Sequence, residues 1–313
     1  MRYCGILQNK YKMISICIPV YNIEVLPLVK ELLQLDPNEN SGIEIIVGDD
    51  SSDVGYKKLN DGIHALEGVS YYEKEENIGR SAIRNFLASK ATNEYLLFID
   101  ADSAIANDQF LKLYSEEIKN SEVICGGTIY DKKPTNGDLM LRYIYGINRE
   151  VRSISERKQF PYRSFSAQNF CIKRSLFLEQ PFDEQIKSYG HEDTLLGLSL
   201  KKKGIKISHI ENPLIHTGLE PALTFISKTN TGLENLILLV KRRPELKEMT
   251  EEIKVLRYYY KLERLKLRGV FASFFRMFKQ QLLNDLSSSN PSLFYFDIYK
   301  LGYLCARAKE LKM

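Results

Sequence analysis

The chain has 313 residues, 44% hydrophobic and 27% charged, a globular composition that excludes a disordered or fibrous protein and allows one large domain with an appendage. The formal net charge is only +4. Basic residues are spread along the chain apart from a C-terminal concentration, so a protein dedicated to nucleic acid is not expected.

Residues 13–22 read as a buried strand that stops at Pro19, because proline removes a ladder donor. Pro19, Tyr21 and Asn22 then fall at a carboxyl-terminal strand end, the edge at which open α/β sheets bind ligands. Residues 24–35 have helical apolar spacing and are closed by Asp36-Pro37-Asn38. Residues 43–48 form a second buried strand ending in Asp49-Asp50-Ser51-Ser52-Asp53. Acids at such an end accept hydrogen bonds from a base or ribose, and they equally suit a capping cluster for a helix starting near Val54.

A short strand at residues 69–72 precedes Asn77-Ile78-Gly79, where the chain turns into a helix running to about Ser89. Arg80 and Arg84 are one turn apart on that helix and share a face, where they can meet a diphosphate or simply stay solvated. Next comes the densest signal, Tyr95-Leu96-Leu97-Phe98-Ile99-Asp100-Ala101-Asp102. An apolar run of strand length ends in two carboxylates at i and i+2, which point the same way on an extended chain. Together they can grip one hard divalent ion, Mg²⁺ or Mn²⁺, whose remaining positions a diphosphate fills. Strands alternating with helices in this way describe a doubly wound parallel sheet.

Residues 122–130 read as a strand interrupted by Gly126-Gly127, and 131–163 as a loop-helix-loop excursion. Residues 165–174 read as a strand carrying the polar pair Gln168-Asn169, whose amides need partners, either backbone or sugar hydroxyls. Gly190-His191-Glu192-Asp193 leads into a helix at 195–203. Acids at its first turn suit the helix dipole, and an acid there stays ionised, as a base must. A strand at 205–210 is followed by a proline-fixed turn and His216, a structural histidine or a metal or phosphate contact.

From residue 219 the pattern is helical throughout: 232–243, 247–268, 271–286 and, after Asn290-Pro291, a last helix to Met313. The stretch 258–282 interleaves aromatic and basic residues, which suits packing against the α/β domain or peripheral contact with anionic lipid.

Cys4, Cys17, Cys125, Cys171 and Cys305 form no Cys-x-x-Cys pair and read as buried thiols in a reducing compartment. No apolar core of signal-peptide length opens the chain, and no apolar run is long enough to span a bilayer. The expected location is the cytoplasm, free or held at the inner face of a membrane.

Together, these motifs resemble the inverting glycosyltransferases of family 2. Ile16 to Asn22 looks like the family's first strand, Val47 to Asp53 its base-binding acidic loop, and Asn77 to Asn85 its Asn-x-Gly helix. Phe98 to Asp102 resembles its Asp-x-Asp, and Gly190 to Asp193 the Glu-Asp element carrying the base. The five stand in family order over about residues 13–220, and His191 stands where many members have Trp, which bears on the acceptor pocket.

The resemblance implies a GT-A fold: a mixed, mainly parallel sheet flanked by helices in residues 1–220, with a nucleotide-sugar half (13–110) and an acceptor half (111–220). A helical region, 221–313, follows. It implies transfer from a nucleotide-diphosphate sugar, by default a UDP-sugar, to a glycan or lipid-linked acceptor of surface polysaccharide synthesis. Asp193 would be the base, with Glu192 its alternative, and Asp102 the metal ligand. Asp100 would hold ribose or metal beside Ala101, Asp49 or Asp50 the base, and Arg80 or Arg84 phosphate. His216 would be a further metal or phosphate contact, and Gln168, Asn169 and His191 would face the sugar or acceptor.

Two other classes stay open. A sugar nucleotidyltransferase needs a glycine-rich basic loop that residues 18–24 lack, and a silent sugar-nucleotide or glycan binder would have lost an acid that this chain keeps. Gly-x-Gly-x-x-Gly and P-loop signatures are absent.

Overall fold

The computed structural model describes residues 14–35, 44–185, 190–242 and 253–310. Cys4, the Asp36-Pro37-Asn38 helix stop and Ser188-Tyr189 lie outside them, as does the start of the helix expected at 247–268. The chain divides into two compact units. One is built from the described parts of Met1–Ile129, Arg152–Lys187 and Glu192–Thr217. The other takes those of Tyr130–Val151, Ser188–His191 and Gly218–Met313.

In the first unit β1 (Ile14–Val20), α1 (Leu26–Gln34), β2 (Glu44–Asp49), α2 (Val54–Asn60), β3 (Val69–Glu73), α3 (Arg80–Lys90) and β4 (Tyr95–Ile99) alternate. After them come β5 (Ser103–Ile105), α4 (Phe110–Glu117), β6 (Val123–Cys125) and β7 (Thr128–Tyr130). α5 (Met140–Tyr145) belongs to the second unit; α6 (Ile154–Gln159), β8 (Asn169–Lys173), α7 (Arg174–Glu179), α8 (Glu192–Lys202), β9 (Ser208–His209) and β10 (Leu214–His216) return to the first.

Seven strands form one sheet in the order β3-β2-β1-β4-β8-β6-β9. The pairs from β3 to β4 are parallel, β8 runs antiparallel to both β4 and β6, and β9 is parallel to β6. The sheet is mixed and mainly parallel. The inner strands β2, β1, β4, β8 and β6 are buried on both faces, whereas the edge strand β3 is not, so alternate side chains of the inner strands enter different cores. Ile16, Ile18, Leu97 and Ile99 join one cluster with α1 and α4, whereas Cys17, Leu96 and Phe98 join another with Leu87 and Phe170.

β1 does not stop at Pro19. It pairs with β2 through Val20, but with β4 only as far as Cys17, so the missing proline N–H falls where the β4 ladder has already ended. The strand expected at 165–174 is shorter, because Arg174 opens α7, and the one expected at 205–210 shrinks to two residues. A second sheet, β5-β10-β7, sits behind the Asp100-Ala101-Asp102 turn. Its register sets His216 opposite Ser103.

The second unit is a helical bundle: α9 (Ala222–Arg242), α10 (Lys254–Arg264), α11 (Arg268–Leu286) and α12 (Leu293–Glu310). Leu236, Ile237, Phe275, Phe296, Tyr299 and Leu304 share its core. α9 starts ten residues before the expected 232. No described helix is long and apolar enough to cross a membrane.

Candidate active site

The parallel strands bring Val20, Asp49 and Ile99 to one edge, and β1 lies where the strand order reverses, the position at which such sheets open a crevice. Backbone strain gathers here: Asn22 and Ser51, just past the ends of β1 and β2, have φ of 53° and 66°. Asn22 binds Ser52 and Asp53 through its backbone N–H and both ends of its amide, so its side chain ties two loops together. Pro19 is half-buried in β1, whereas Tyr21 is 52% exposed, the member of this trio most open to a ligand.

The acidic loop is internal. Asp49 is fully buried and accepts from Ser52 N–H at 2.6 Å and the Tyr71 hydroxyl at 3.1 Å. Asp50 accepts from Ile78 N–H at 2.7 Å and Gly79 N–H at 2.9 Å, which fixes the turn into α3. Burial pushes the Asp50 carboxyl up despite those two bonds. Both acids therefore shape the loop, and neither presents a free carboxylate to a nucleotide base. The N-cap alternative is not met either, since Asp53 makes no side-chain cap to α2. A cavity of about 690 Å³ opens beside this loop, lined by Lys74, Asn77, Gly79, Asn85, Phe86 and Glu184.

After β4 the two aspartates part. Asp100 pairs with the guanidinium of Arg84, whose side chain is 1% exposed, and with Arg80 Nη2 at 3.5 Å. Burial alone would raise the Asp100 carboxyl, but Arg84 and Arg80 outweigh it and hold the acid below its ordinary value. Arg84 is thus a buried counter-ion, not the phosphate ligand that its helix spacing suggested. Ala101 is buried in the turn between the acids.

Asp102 Oδ2 lies 3.6 Å from His216 Nε2, and Thr217 N–H donates to the Asp102 carbonyl at 2.8 Å. A carboxylate oxygen suits either Mn²⁺ or Mg²⁺, and an imidazole nitrogen beside it favours the softer transition ion Mn²⁺; such ions complete their shells with water and phosphate. Among the described residues no group of three such side chains closes a cage, and Asp100 is turned to the arginines. The pair fits an ion shared with a substrate.

Arg80 reaches further. Its Nε donates to Glu192 Oε1 at 3.0 Å, so one guanidinium joins the Asp-x-Asp turn to the acid pair that opens α8. Glu192 is buried, and its Oε2 has no hydrogen-bond partner. Burial would raise this acid too, but Arg80 and Arg84 hold it below its usual value. Asp193 behaves oppositely: burial and then the Glu192 charge push it up to about 6, although Oδ1 accepts from Thr194 N–H at 2.6 Å. Two adjacent acids pushed apart in this way can divide the roles of ionised partner and proton acceptor. Gly190 and His191, both at positive φ, form the turn into α8.

Antiparallel β8 delivers the expected amides to the same edge, where Gln168 carbonyl accepts from Asp100 N–H at 3.1 Å. Gln168 Oε1 accepts from Thr128, and its Nε2 is buried without a hydrogen-bond partner. Asn169 is a correction: it is 2% exposed, accepts from the Tyr114 hydroxyl and donates to the Gly127 and Asn212 carbonyls. Both of its N–H donors are taken and the side chain is buried, so it does not face a sugar. The bridge made by Arg80 escaped sequence reading, because its two acids are separated from it by 20 and 112 residues.

Solved structures share this architecture. The mannosyltransferase PcManGT from Pyrobaculum calidifontis, solved with GDP-Man and Mn²⁺, aligns with a TM-score of 0.56 over 96% of this chain and 87% of that one at 13% identity. S. aureus TarS 1-349, solved with UDP-GlcNAc, aligns with a TM-score of 0.50 over 96% and 92% at 16% identity. The likeness is one of fold, and the fold is GT-A.

Residues 15–184, more than half of the chain, match the family described as Glycosyl transferase family 2, and the chain belongs to that family. Among curated relatives, the poly(ribitol-phosphate) beta-glucosyltransferase of Bacillus spizizenii is 36% identical over 207 residues. That alignment covers 62% of this chain and 31% of the relative, so the chain spans less than a third of that protein's length.

Proposed function

We propose that the chain transfers a sugar from a nucleotide-diphosphate sugar to a hydroxyl of a glycan or lipid-linked acceptor of surface polysaccharide synthesis, with inversion in one displacement. The observation that carries this reading is Arg80, which touches both Asp100 and Glu192 and so sets the metal-type turn beside the acid pair. The family membership and the glucosyltransferase relative support the class of reaction. UDP is the favoured nucleotide, since TarS was solved with UDP-GlcNAc, while GDP-Man in PcManGT keeps the donor a matter for experiment.

In this reading Asp193 takes the acceptor hydroxyl proton as that oxygen attacks the anomeric carbon. The bond from that carbon to the diphosphate breaks, and its electron pair leaves with the diphosphate. A base whose pKa sits near 6 is ionised at neutral pH yet still basic enough to accept the proton. Glu192 stays ionised against Arg80, and Gln168 Nε2 is the spare donor for a sugar or acceptor oxygen. A divalent ion held by Asp102 and His216 supplies Lewis-acid stabilisation of the leaving diphosphate when bound.

Nucleotide release from a panel of sugar nucleotides, with and without Mn²⁺, tests the proposal on the wild type and Asp102→Ala. Metal-dependent release from one donor, lost in the variant, is expected. Absence of both release and metal-dependent nucleotide binding overturns it.

A further inference from the structure

We propose that the outward face of α11 rests on an anionic lipid surface. α11 turns Ala272, Phe275, Leu282 and Leu286 into the helical core. On its other side Val270 is 67% exposed, Phe274 48%, Met277 71% and Phe278 38%. Positions 270, 274, 277 and 278 lie one turn apart and form a single apolar stripe. Aromatic and methionine side chains in such a stripe are ones that enter the boundary between headgroups and acyl chains.

Charge selects the occupant. Residues 264–284 contain no acid and five cations, Arg264, Lys266, Arg268, Arg276 and Lys279. Arg268 is engaged by Tyr259 and Glu263, and the other four are exposed. At 100° per residue Arg276 and Lys279 point away from the stripe, but a helix is only about 10 Å across, well within the Debye length at low salt, so these cations feel a negative surface beneath the stripe there and lose it as salt rises. A second copy of the chain would set two acid-free cationic stretches face to face, and they would repel. No described helix can cross a bilayer, so the contact lies along the surface. This inference does not depend on the transfer chemistry.

The test is co-sedimentation of the full chain with phosphatidylcholine vesicles, with and without phosphatidylglycerol, at low and high salt. Retention on the anionic vesicles alone, released by salt, is expected. The variant Phe274→Ser/Met277→Ser/Phe278→Ser, with circular dichroism confirming its fold, is expected to lose retention. Should that variant fail to fold, Arg276→Gln/Lys279→Gln decides, with binding weaker by about tenfold or more. Failure of the wild type to bind anionic vesicles, equal binding to neutral ones, or unchanged binding in the folded variants overturns the proposal. So does a concentration-dependent dimer that the apolar variant abolishes.

Discussion

Arg80 Nε lies 3.0 Å from Glu192 Oε1, across 112 residues of sequence, and this one contact fixes the opening of α8 against α3. Glu192 is held below its ordinary pKa, because Arg80 and Arg84 outweigh its burial, so the pairing stabilises the fold above the unfolded carboxyl value and is lost as pH falls. Arg80→Gln is therefore expected to destabilise the protein at neutral pH. Arg80 is 41% exposed, so the loss is expected at about 1–2 kcal/mol rather than the full value of a buried pair. Urea unfolding at neutral pH and near pH 4 checks this: the gap between variant and wild type should narrow in acid.

Asp193→Asn should remove transfer by about 10²–10⁴-fold while leaving nucleotide binding intact, as loss of a general base does. In the wild type, the acid limb of kcat/KM should have an apparent pKa near 6, with activity rising as pH passes through that value. An acid limb near 4 would point to an unperturbed carboxylate instead.

The same substitution should stabilise the fold. Because the Asp193 pKa is raised in the folded state from 3.8 to about 6, the carboxyl favours folding below its unfolded value, and that advantage disappears as pH rises through about 6. Above that pH the charge is held against partial burial and the neighbouring Glu192 carboxylate, a cost that asparagine does not carry. Melting temperatures near pH 5 and pH 8 should show the variant's advantage growing with pH. An equal melting temperature at both would mean that Asp193 is not strained.

Asp102→Ala and His216→Ala should differ in degree. Asp102 supplies the charged donor and His216 a neutral one, so the first should abolish metal-dependent nucleotide binding and the second should raise the Mn²⁺ concentration required by about tenfold or more. Titration of Mn²⁺ in the presence of UDP measures both. If His216→Ala leaves the Mn²⁺ requirement unchanged, the histidine only positions Asp102.

Much of the sheet was legible because β1, β2 and β4 are short apolar runs, and the acids that end β2 and follow β4 are written locally; the end of β1 was not, since the strand runs through Pro19 to Val20. The site was legible as a set of acids, but its hydrogen-bond partners were not. Whether Arg84 meets phosphate or Asp100 depends on which face of α3 packs on the sheet, and whether Asn169 is free depends on Asn212, far along the chain. His216 meets Asp102 through the β5–β10 register, which no local pattern announces. Helix starts such as that of α9 at Ala222 were missed because the polar run Ser227-Lys228-Thr229-Asn230-Thr231 separates its first apolar turn from the spacing that resumes at Gly232.

In the helical unit, Asp297 gathers three cations: Lys254 and Lys300 at 2.9 Å and Arg149 at 3.1 Å. Lys254 and Arg149 are 50% and 39% exposed, so screening leaves little of their attraction, whereas Lys300 is 18% exposed and is the partner that matters. Burial lowers the Lys300 pKa even with Asp297 beside it, so an unpaired Lys300 would release its proton more readily still. Asp297→Ala is expected to lower stability by about 1–2 kcal/mol, because it leaves that lysine without its counter-ion. Lys300→Met should do less, since Asp297 keeps two cations and the methionine still packs near the Tyr145 and Phe296 rings that Lys300 lies over. A double-mutant cycle on Asp297 and Lys300, read by thermal unfolding, should give a coupling larger than the cycle on Asp297 and Lys254. Equal couplings would show that exposure does not rank these pairs.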